Sequence, residues 1–255
     1  MLTLDLAGKI AVVTGATGQL GRVMVRTLAR CGADVAIHYH GNADRAASLK
    51  AEAEGMGRRA VTVQADVTDR ASVLALRDAV VSGLGAADII VNNAVAQYDW
   101  TSVLEQSPDD YEGQFRSSVL HNVLMAQAFV PGMIAGGRGG RVIGINTECA
   151  MQNFASQSAY VAGKRGMDGV LRILAKEVGA HGITVNQVAP GWTISDKDRE
   201  AGSESQPEYE KSVPLGRRGT DQEIANVVAF LASDLSSYVT GAYVPVCGGN
   251  VMPAI

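Results

Sequence analysis

The sequence predicts one α/β domain built on a doubly wound parallel β-sheet with helices on both faces. Three observations predict it. Short apolar, β-branched runs alternate along the whole chain with stretches of helical period, the pattern of βαβ units. The runs lack the polar alternation of a half-exposed sheet, as expected for strands covered on both sides. The 255 residues, 47% of them hydrophobic, suffice for one large core and fall short of two full domains, so 1–255 is read as a single domain.

The first strand is K-I-A-V-V-T (9–14). G-A-T-G-Q-L-G follows, then the helical pattern V-M-V-R-T-L-A-R-C (23–31). Strand, glycine-rich turn and helix give such glycines meaning. Gly15 can make the tight turn, and Gly18 or Gly21 can bring backbone close to a pyrophosphate at the helix N-terminus. D-V-A-I-H-Y-H (34–40) gives a second strand and 43–54 a helix. A-V-T-V-Q-A (60–65) is the third strand; it runs into D-V-T-D and a helix over 69–82. D-I-I-V-N-N-A (88–94) is the fourth, and 108–135 reads as one long helix ending before G-G-R-G-G. R-V-I-G-I-N (141–146) precedes the helix that carries Tyr160. I-T-V-N-Q-V-A-P-G (183–191) is the sixth strand, polar residues 196–213 a lid-like loop, 221–232 a helix and A-Y-V-P-V (242–246) the last strand. Ligands bind beyond the carboxyl ends of such strands. That rule brings 15–21, 66–67, 92–94, Thr147 and 190–191 to one edge.

The stretch Thr147–Lys176 carries the chemistry. Tyr160 and Lys164 stand four residues apart, so on a helix they share a face. An ammonium beside a phenol stabilises the phenolate and is expected to lower the tyrosine pKa from about 10, fitting it to exchange protons with an alcohol or carbonyl. An isolated Y-x-x-x-K is more often an exposed pair; its place in this chain favours chemistry.

Composition excludes other classes. The net charge of −4 comes from interspersed residues, unlike the clustered basic footprint of a nucleic-acid binder. Cys31, Cys149 and Cys247 are odd in number with no C-x-x-C, and His38, His40, His121 and His181 have no zinc-ligand spacing, so no metal site is expected. The N-terminus lacks a signal layout and no apolar run looks long enough to span a bilayer. A cytoplasmic protein without a membrane or nucleic-acid partner is the expectation.

From T-G-A-T-G-Q-L-G to T-G-A-Y-V-P-V-C-G-G, the ordered set D-V-T-D, N-N-A, Y-V-A-G-K, A-P-G, P-L-G-R and E-I-A-N-V-V-A-F-L-A-S-D resembles the short-chain dehydrogenase/reductase family. The likeness is strongest to its 3-oxoacyl-carrier-protein reductase type and covers nearly the whole chain. The resemblance implies a Rossmann-type domain and hydride transfer between a nicotinamide and a small-molecule carbonyl or secondary alcohol. It implies Tyr160 as acid/base, Lys164 as the lysine that also holds the ribose hydroxyls, and Asp66 and Val67 as the adenine-contacting pair. It also implies Asn92, Asn93 and Ala94 beside the cofactor, Pro190 and Gly191 flanking the nicotinamide, and the turn residues Gly15, Thr17, Gln19 and Leu20 around the phosphates.

Several positions depart from the family pattern. Its middle glycine falls at Gln19, which implies either a shifted backbone or a left-handed Gln19, with a side chain that could touch a phosphate. Its catalytic serine is Thr147, which keeps the hydroxyl. Its helix asparagine, part of a water relay, falls at Ser118, with Asn122 one turn on. Val95 replaces a glycine, and Thr193 and Ser195 stand where the carboxamide is bound. Glu148, beside Thr147, either meets a basic group on the substrate or pairs with an arginine. Tyr98, Trp100 and Trp192 either floor the substrate pocket or pack elsewhere.

At the end of the second strand, where a carboxylate would exclude a 2′-phosphate, stands Tyr39, followed by His40 and Arg45. NADP(H) is therefore favoured, with NAD(H) the alternative. Two rival functions are a weakly active or non-catalytic dinucleotide-binding sensor or assembly protein, and an NAD-dependent alcohol or polyol dehydrogenase. The apolar patterns 119–130 and 167–175 suit a homotetramer or homodimer, or else core-facing stripes.

Overall fold

Seven predicted runs form strands, each within two residues of its expected ends, in a computed structural model that describes residues 4–252. They are β1 (Ile10–Val13), β2 (Asp34–Tyr39), β3 (Ala60–Gln64), β4 (Ile89–Asn92), β5 (Gly140–Ile145), β6 (Ile183–Pro190) and β7 (Tyr243–Val246). All pair in parallel, in the order β3-β2-β1-β4-β5-β6-β7. β1, β4 and β6 are buried along their full lengths, which is why their sequences show no polar alternation. Successive residues serve opposite cores. Ala11, Val13, Val35 and Ile37 join Leu28, Ile224 and Val228 on one face. Ile10, Val12 and Ala36 join Leu76, Met125 and Leu171 on the other.

The helices are α1 (Gln19–Arg30), α2 (Ala43–Gly55), α3 (Arg70–Gly83), α4 (Pro108–Gln114), α5 (His121–Gly136), α6 (Cys149–Gln152), α7 (Ser158–Val178), α8 (Asp196–Ala201), α9 (Pro207–Glu210) and α10 (Asp221–Ala232). Three expectations need correction, and a fourth element, left without bounds in the sequence, gains them. First, α1 begins at Gln19, a turn earlier than its apolar pattern, so Gln19 is its first residue. It is not left-handed; among the described residues only Asn153 and Ser156 outside glycine have positive φ. Second, the long helix is interrupted. Phe115–Leu120 is a π-helical segment between α4 and α5, a feature common at functional sites and invisible to a 3.6-residue reading.

The Tyr160 helix gains its bounds: it starts at Ser158, after left-handed Asn153 and Ser156 separate it from α6. Third, 196–213 is not an irregular loop but holds α8 and α9. Ser195 and Asp198 form a capping box at the head of α8. The Arg218 guanidinium, fully buried, bonds the Asp198 carboxylate at 2.8 Å and the carbonyls of Thr193, Trp192 and Glu204. With four of its five N–H donors directed, this buried guanidinium is an anchor, so the segment is fixed at its base.

By length and composition Pro108–Gly136, at 29 residues, is long and apolar enough to cross a membrane, against the expectation that no run is. However, 56% of its apolar window is buried. It packs on α3 and α7, the profile of a core helix. The apolar stripes of 119–130 and 167–175 are likewise mostly inward: Val119, Leu124, Met125, Phe129, Met167 and Leu171 are buried, while Ile173 is exposed.

Candidate active site

Chain order reverses between β1 and β4, which are neighbours, and this switch point is where an open α/β sheet binds ligands. The turn after β1 is held by three side chains. Thr14 Oγ1 accepts from the Asn93 and Ala94 N–H groups at 2.9 and 3.1 Å. Asn93 Nδ2 donates to the Thr14 and Gly15 carbonyls. His38, buried in β2, accepts the Gly15 N–H on Nδ1 at 3.0 Å, so its Nε2–H donates to the Ala65 carbonyl at 3.0 Å. Burial lowers the His38 pKa, partly offset by the Ala65 carbonyl, and the neutral tautomer follows.

The turn fits a dinucleotide pyrophosphate. α1 is capped by Gly18 with no side-chain hydrogen bond, and its first turn holds no acidic residue. Its first N–H groups and positive dipole end therefore face an incoming anion. Gly15 sits at φ +60°, and a Cβ there would lie 2.9 Å from Ala94 Cα. The Gln19 side chain bridges to the segment after β6, its Nε2 donating to the Ile194 carbonyl at 2.6 Å. At the far end of the edge, Tyr39 is half-buried and His40 exposed. Asp66 keeps Oδ1 on the Thr68 N–H and hydroxyl, which depresses its pKa, and Val67 is buried. Arg45 Nη1 reaches the Thr17 carbonyl at 3.4 Å.

A cavity of about 970 Å³ continues this edge. Of the predicted site residues, Leu20, Asn93, Thr147, Tyr160, Lys164, Pro190, Gly191 and Thr193 line it. Gly15, Thr17, Ala94, Tyr39, His40, Asp66 and Val67 lie along the same edge but outside it. Ser195 is the α8 cap, its Oγ accepting the Asp198 N–H. Ser118 is buried in the π segment, its hydroxyl has no protein partner, and it is not in the cavity wall. Asn122 instead bridges across, with Oδ1 accepting from Asn92 Nδ2 at 2.7 Å.

Lys164 Nζ donates to the Ile145 carbonyl at 2.6 Å and lies 5.7 Å from the centre of the Tyr160 ring. Burial lowers its pKa to about 8. The Tyr160 pKa moves opposite to the expected direction: burial pushes it up, and the Thr147 hydroxyl offsets only part of that. Desolvation dominates, and Lys164, whose ammonium donates to the Ile145 carbonyl, is not among the groups that offset it. With the folded pKa above the ordinary 10, the phenol keeps its proton throughout the neutral range. Phenolate absorbance of the cofactor-free protein and of Tyr160→Phe should therefore coincide below pH about 10. A phenolate step below pH about 9 that the substitution removes would overturn this.

Sequence reasoning left out Asn146 and Tyr209, and it named Tyr98, Trp100 and Trp192, which all line the cavity, without their partners. Asn146 accepts the Thr147 N–H and donates from Nδ2 to the Lys164 carbonyl and Gln187 Oε1, so it ties β5 to α7 and fixes Thr147 against Lys164. Tyr98 accepts the Tyr160 N–H at 2.7 Å. Trp100 stacks on the Tyr160 ring, with centroids 6.3 Å apart. Tyr209 accepts the Trp192 N–H. These contacts join distant segments, and a local pattern holds no trace of them.

Comparison with known proteins agrees with the geometry. The family model described as enoyl-(acyl carrier protein) reductase matches residues 15–250. The chain is 37% identical over 250 residues to a 3-oxoacyl-[acyl-carrier-protein] reductase of Pseudomonas aeruginosa, covering 98% of this chain and 100% of that one. It is 34% identical over 246 residues to an L-rhamnose 1-dehydrogenase (NAD(P)+) of a Sphingomonas species, covering 96% of each. Among solved structures it resembles a blue fluorescent protein from a metagenomic library in complex with NADPH, with a TM-score of 0.89 and 36% identity over 97% of this chain and all of that one. With the glycine turn, the Tyr160–Lys164 helix and the sheet order, these matches establish that the chain belongs to the short-chain dehydrogenase/reductase family, as a 3-oxoacyl-carrier-protein reductase-like member, and is an NAD(P)-dependent oxidoreductase of carbonyl or alcohol substrates.

Proposed function

We propose that the protein reduces a small ketone to a secondary alcohol, with Tyr160 as proton donor, and that it prefers NADPH. The observation that carries the reading is the convergence of Tyr160, Thr147 and Lys164 on one cavity at the switch-point edge. When bound, the reduced nicotinamide supplies the hydride that goes to the carbonyl carbon. Thr147 Oγ1 holds the carbonyl oxygen. Tyr160 gives its phenolic proton to the developing alkoxide, and a phenol that stays protonated at neutral pH suits that direction. Lys164 stabilises the phenolate left behind and binds the ribose hydroxyls. Pro190, Gly191, Thr193 and Ser195 would hold the nicotinamide, together with Asn93 and Ala94. Asp66 and Val67 would hold the adenine, and Ser118 with Asn122 would carry the water relay behind the lysine.

The NADPH preference rests on Arg45. Its guanidinium hangs over the glycine turn and has no acidic partner among the described residues. No carboxylate stands at Tyr39 to repel a 2′-phosphate. A charge-assisted contact of this kind corresponds to roughly ten- to hundredfold in affinity. NADPH should therefore bind at least about tenfold tighter than NADH, and Arg45→Ala should weaken NADPH binding while leaving NADH nearly unchanged. Equal or reversed affinities in a titration of both would refute the preference.

Residues 196–213 act as a lid hinged beyond the Arg218 anchor, with Glu208, Tyr209 and Ser212 reaching the cavity wall. Ala162, Gly166, Gly169 and Ile173 leave an exposed stripe of mostly small residues along α7, suited to assembly as a homotetramer or homodimer in the cytoplasm.

A further inference from the structure

Glu148 is the buried charged group in the cavity wall that the reaction leaves unused; Glu208, also in the wall, is exposed and paired with Lys211. Glu148 is 2% exposed, follows Thr147 directly and lines the cavity. Its oxygens accept from neutral donors alone: Oε1 from the Tyr209 hydroxyl at 2.8 Å and Oε2 from Asn250 Nδ2 at 3.0 Å. The arginine partner expected as one alternative is not there, since no Lys, Arg or His pairs with this carboxylate among the described residues. Lys164 is the one Lys, Arg or His in the wall, and it makes no ion pair with Glu148: one of its Nζ donors goes to the Ile145 carbonyl, and the others are assigned to the reaction centre. The Trp192 backbone N–H also favours the charged carboxylate, and with about four lone-pair sites the group still has accepting capacity for a cation. Tyr98, Trp100, Phe154 and Tyr209 line the same cavity, and aromatic faces attract cations. The burial that raises the Glu148 pKa is the cost a bound cation would remove.

We propose that Glu148 selects substrates carrying a protonated amine. The cavity takes an amino ketone, or the corresponding amino alcohol, whose ammonium group meets the Glu148 carboxylate while its apolar part lies against the aromatic walls. The proposal rests on the reading of Thr147 and Tyr160 as the reaction centre. Consecutive Cα atoms stand about 3.8 Å apart, so the Thr147–Glu148 adjacency sets the nitrogen a few bonds from the carbonyl carbon.

Dimethylaminoacetone and 4-methylpentan-2-one have the same shape and differ by one ammonium. Each is titrated calorimetrically into the NADP⁺-bound protein, and each is offered as substrate with NADPH. The wild type should bind the ammonium ketone roughly 10- to 100-fold tighter. Glu148→Gln should reduce that ratio to within about twofold of one. Tyr209→Phe, which keeps both the carboxylate and the ring, should retain it. The proposal fails if the wild type shows no preference, if Glu148→Gln keeps the preference, or if Tyr209→Phe loses it as fully as Glu148→Gln. In the last case Glu148 serves only to hold α9. Should Glu148→Gln not fold, the wild-type ratio and Tyr209→Phe still decide. Preferential binding of the ammonium ketone with neither ketone reduced upholds Glu148 and removes the reductase reading. Equal reduction of both does the reverse.

Discussion

Tyr160→Phe is expected to lower kcat by roughly 10²- to 10⁴-fold, the usual contribution of a positioned proton donor, and to leave coenzyme affinity within about twofold of wild type. At about 1.4 kcal/mol per tenfold, that is a barrier rise of about 3–5 kcal/mol. The substitution removes one oxygen and little else. The ring remains to stack on Trp100, and the backbone N–H still donates to Tyr98. Thr147 stays fixed through Asn146. A fall in kcat with unchanged NADPH binding, read by steady-state kinetics and a fluorescence titration, would locate the loss in proton transfer. Turnover above about a tenth of wild type would remove Tyr160 from that role.

Gly21→Ala should be the most damaging single methyl at the coenzyme end. A Cβ at Gly21 would sit 2.3 Å from the Gly15 carbonyl oxygen and 2.8 Å from Ala16 Cα. Both contacts are backbone, so no rotamer change relieves them. The turn must move, and Gly15 is held from the other side by His38 and Asn93. Displacing the backbone that faces the pyrophosphate should weaken NADPH binding by at least about a hundredfold, and overpacking of this kind costs about 1–3 kcal/mol of stability. Calorimetric titration and thermal unfolding read the two effects separately. Binding within about fivefold of wild type would mean that the turn accommodates the methyl and is not rigid.

The strands, their order of use and the edge that holds the site were legible in the sequence, because uninterrupted β-branched runs and post-strand glycine or asparagine motifs are local signals. Tyr160 and Lys164 were legible for the same reason: four residues on a helix fix their relation. The direction of the Tyr160 shift was not. It is set by burial, and the Ile145 carbonyl that takes the Lys164 ammonium lies nineteen residues away. The π segment at 115–120 escaped because each residue there is an ordinary helix former. Glu148 stood out as an anomaly beside Thr147, yet its neutral partners Tyr209 and Asn250 come from segments 61 and 102 residues downstream. Gln19 misled because the resemblance placed it in a glycine's position, whereas the chain makes it the first helical residue and uses Gly18 as the cap.

His38 has a bearing on attempts to retarget this enzyme to the other coenzyme. Its side chain joins three successive strands at one point, serving the first through Gly15 and the third through Ala65 from its own place on the second. His40 and Arg45, which lie outside β2, can be exchanged to remodel the ribose end without touching the sheet, whereas Tyr39 closes β2, pairs with Gln64 and packs against the core. An engineer who includes position 38 in the same library would lose the whole nucleotide platform along with the discrimination, and would misjudge those variants as failures of specificity.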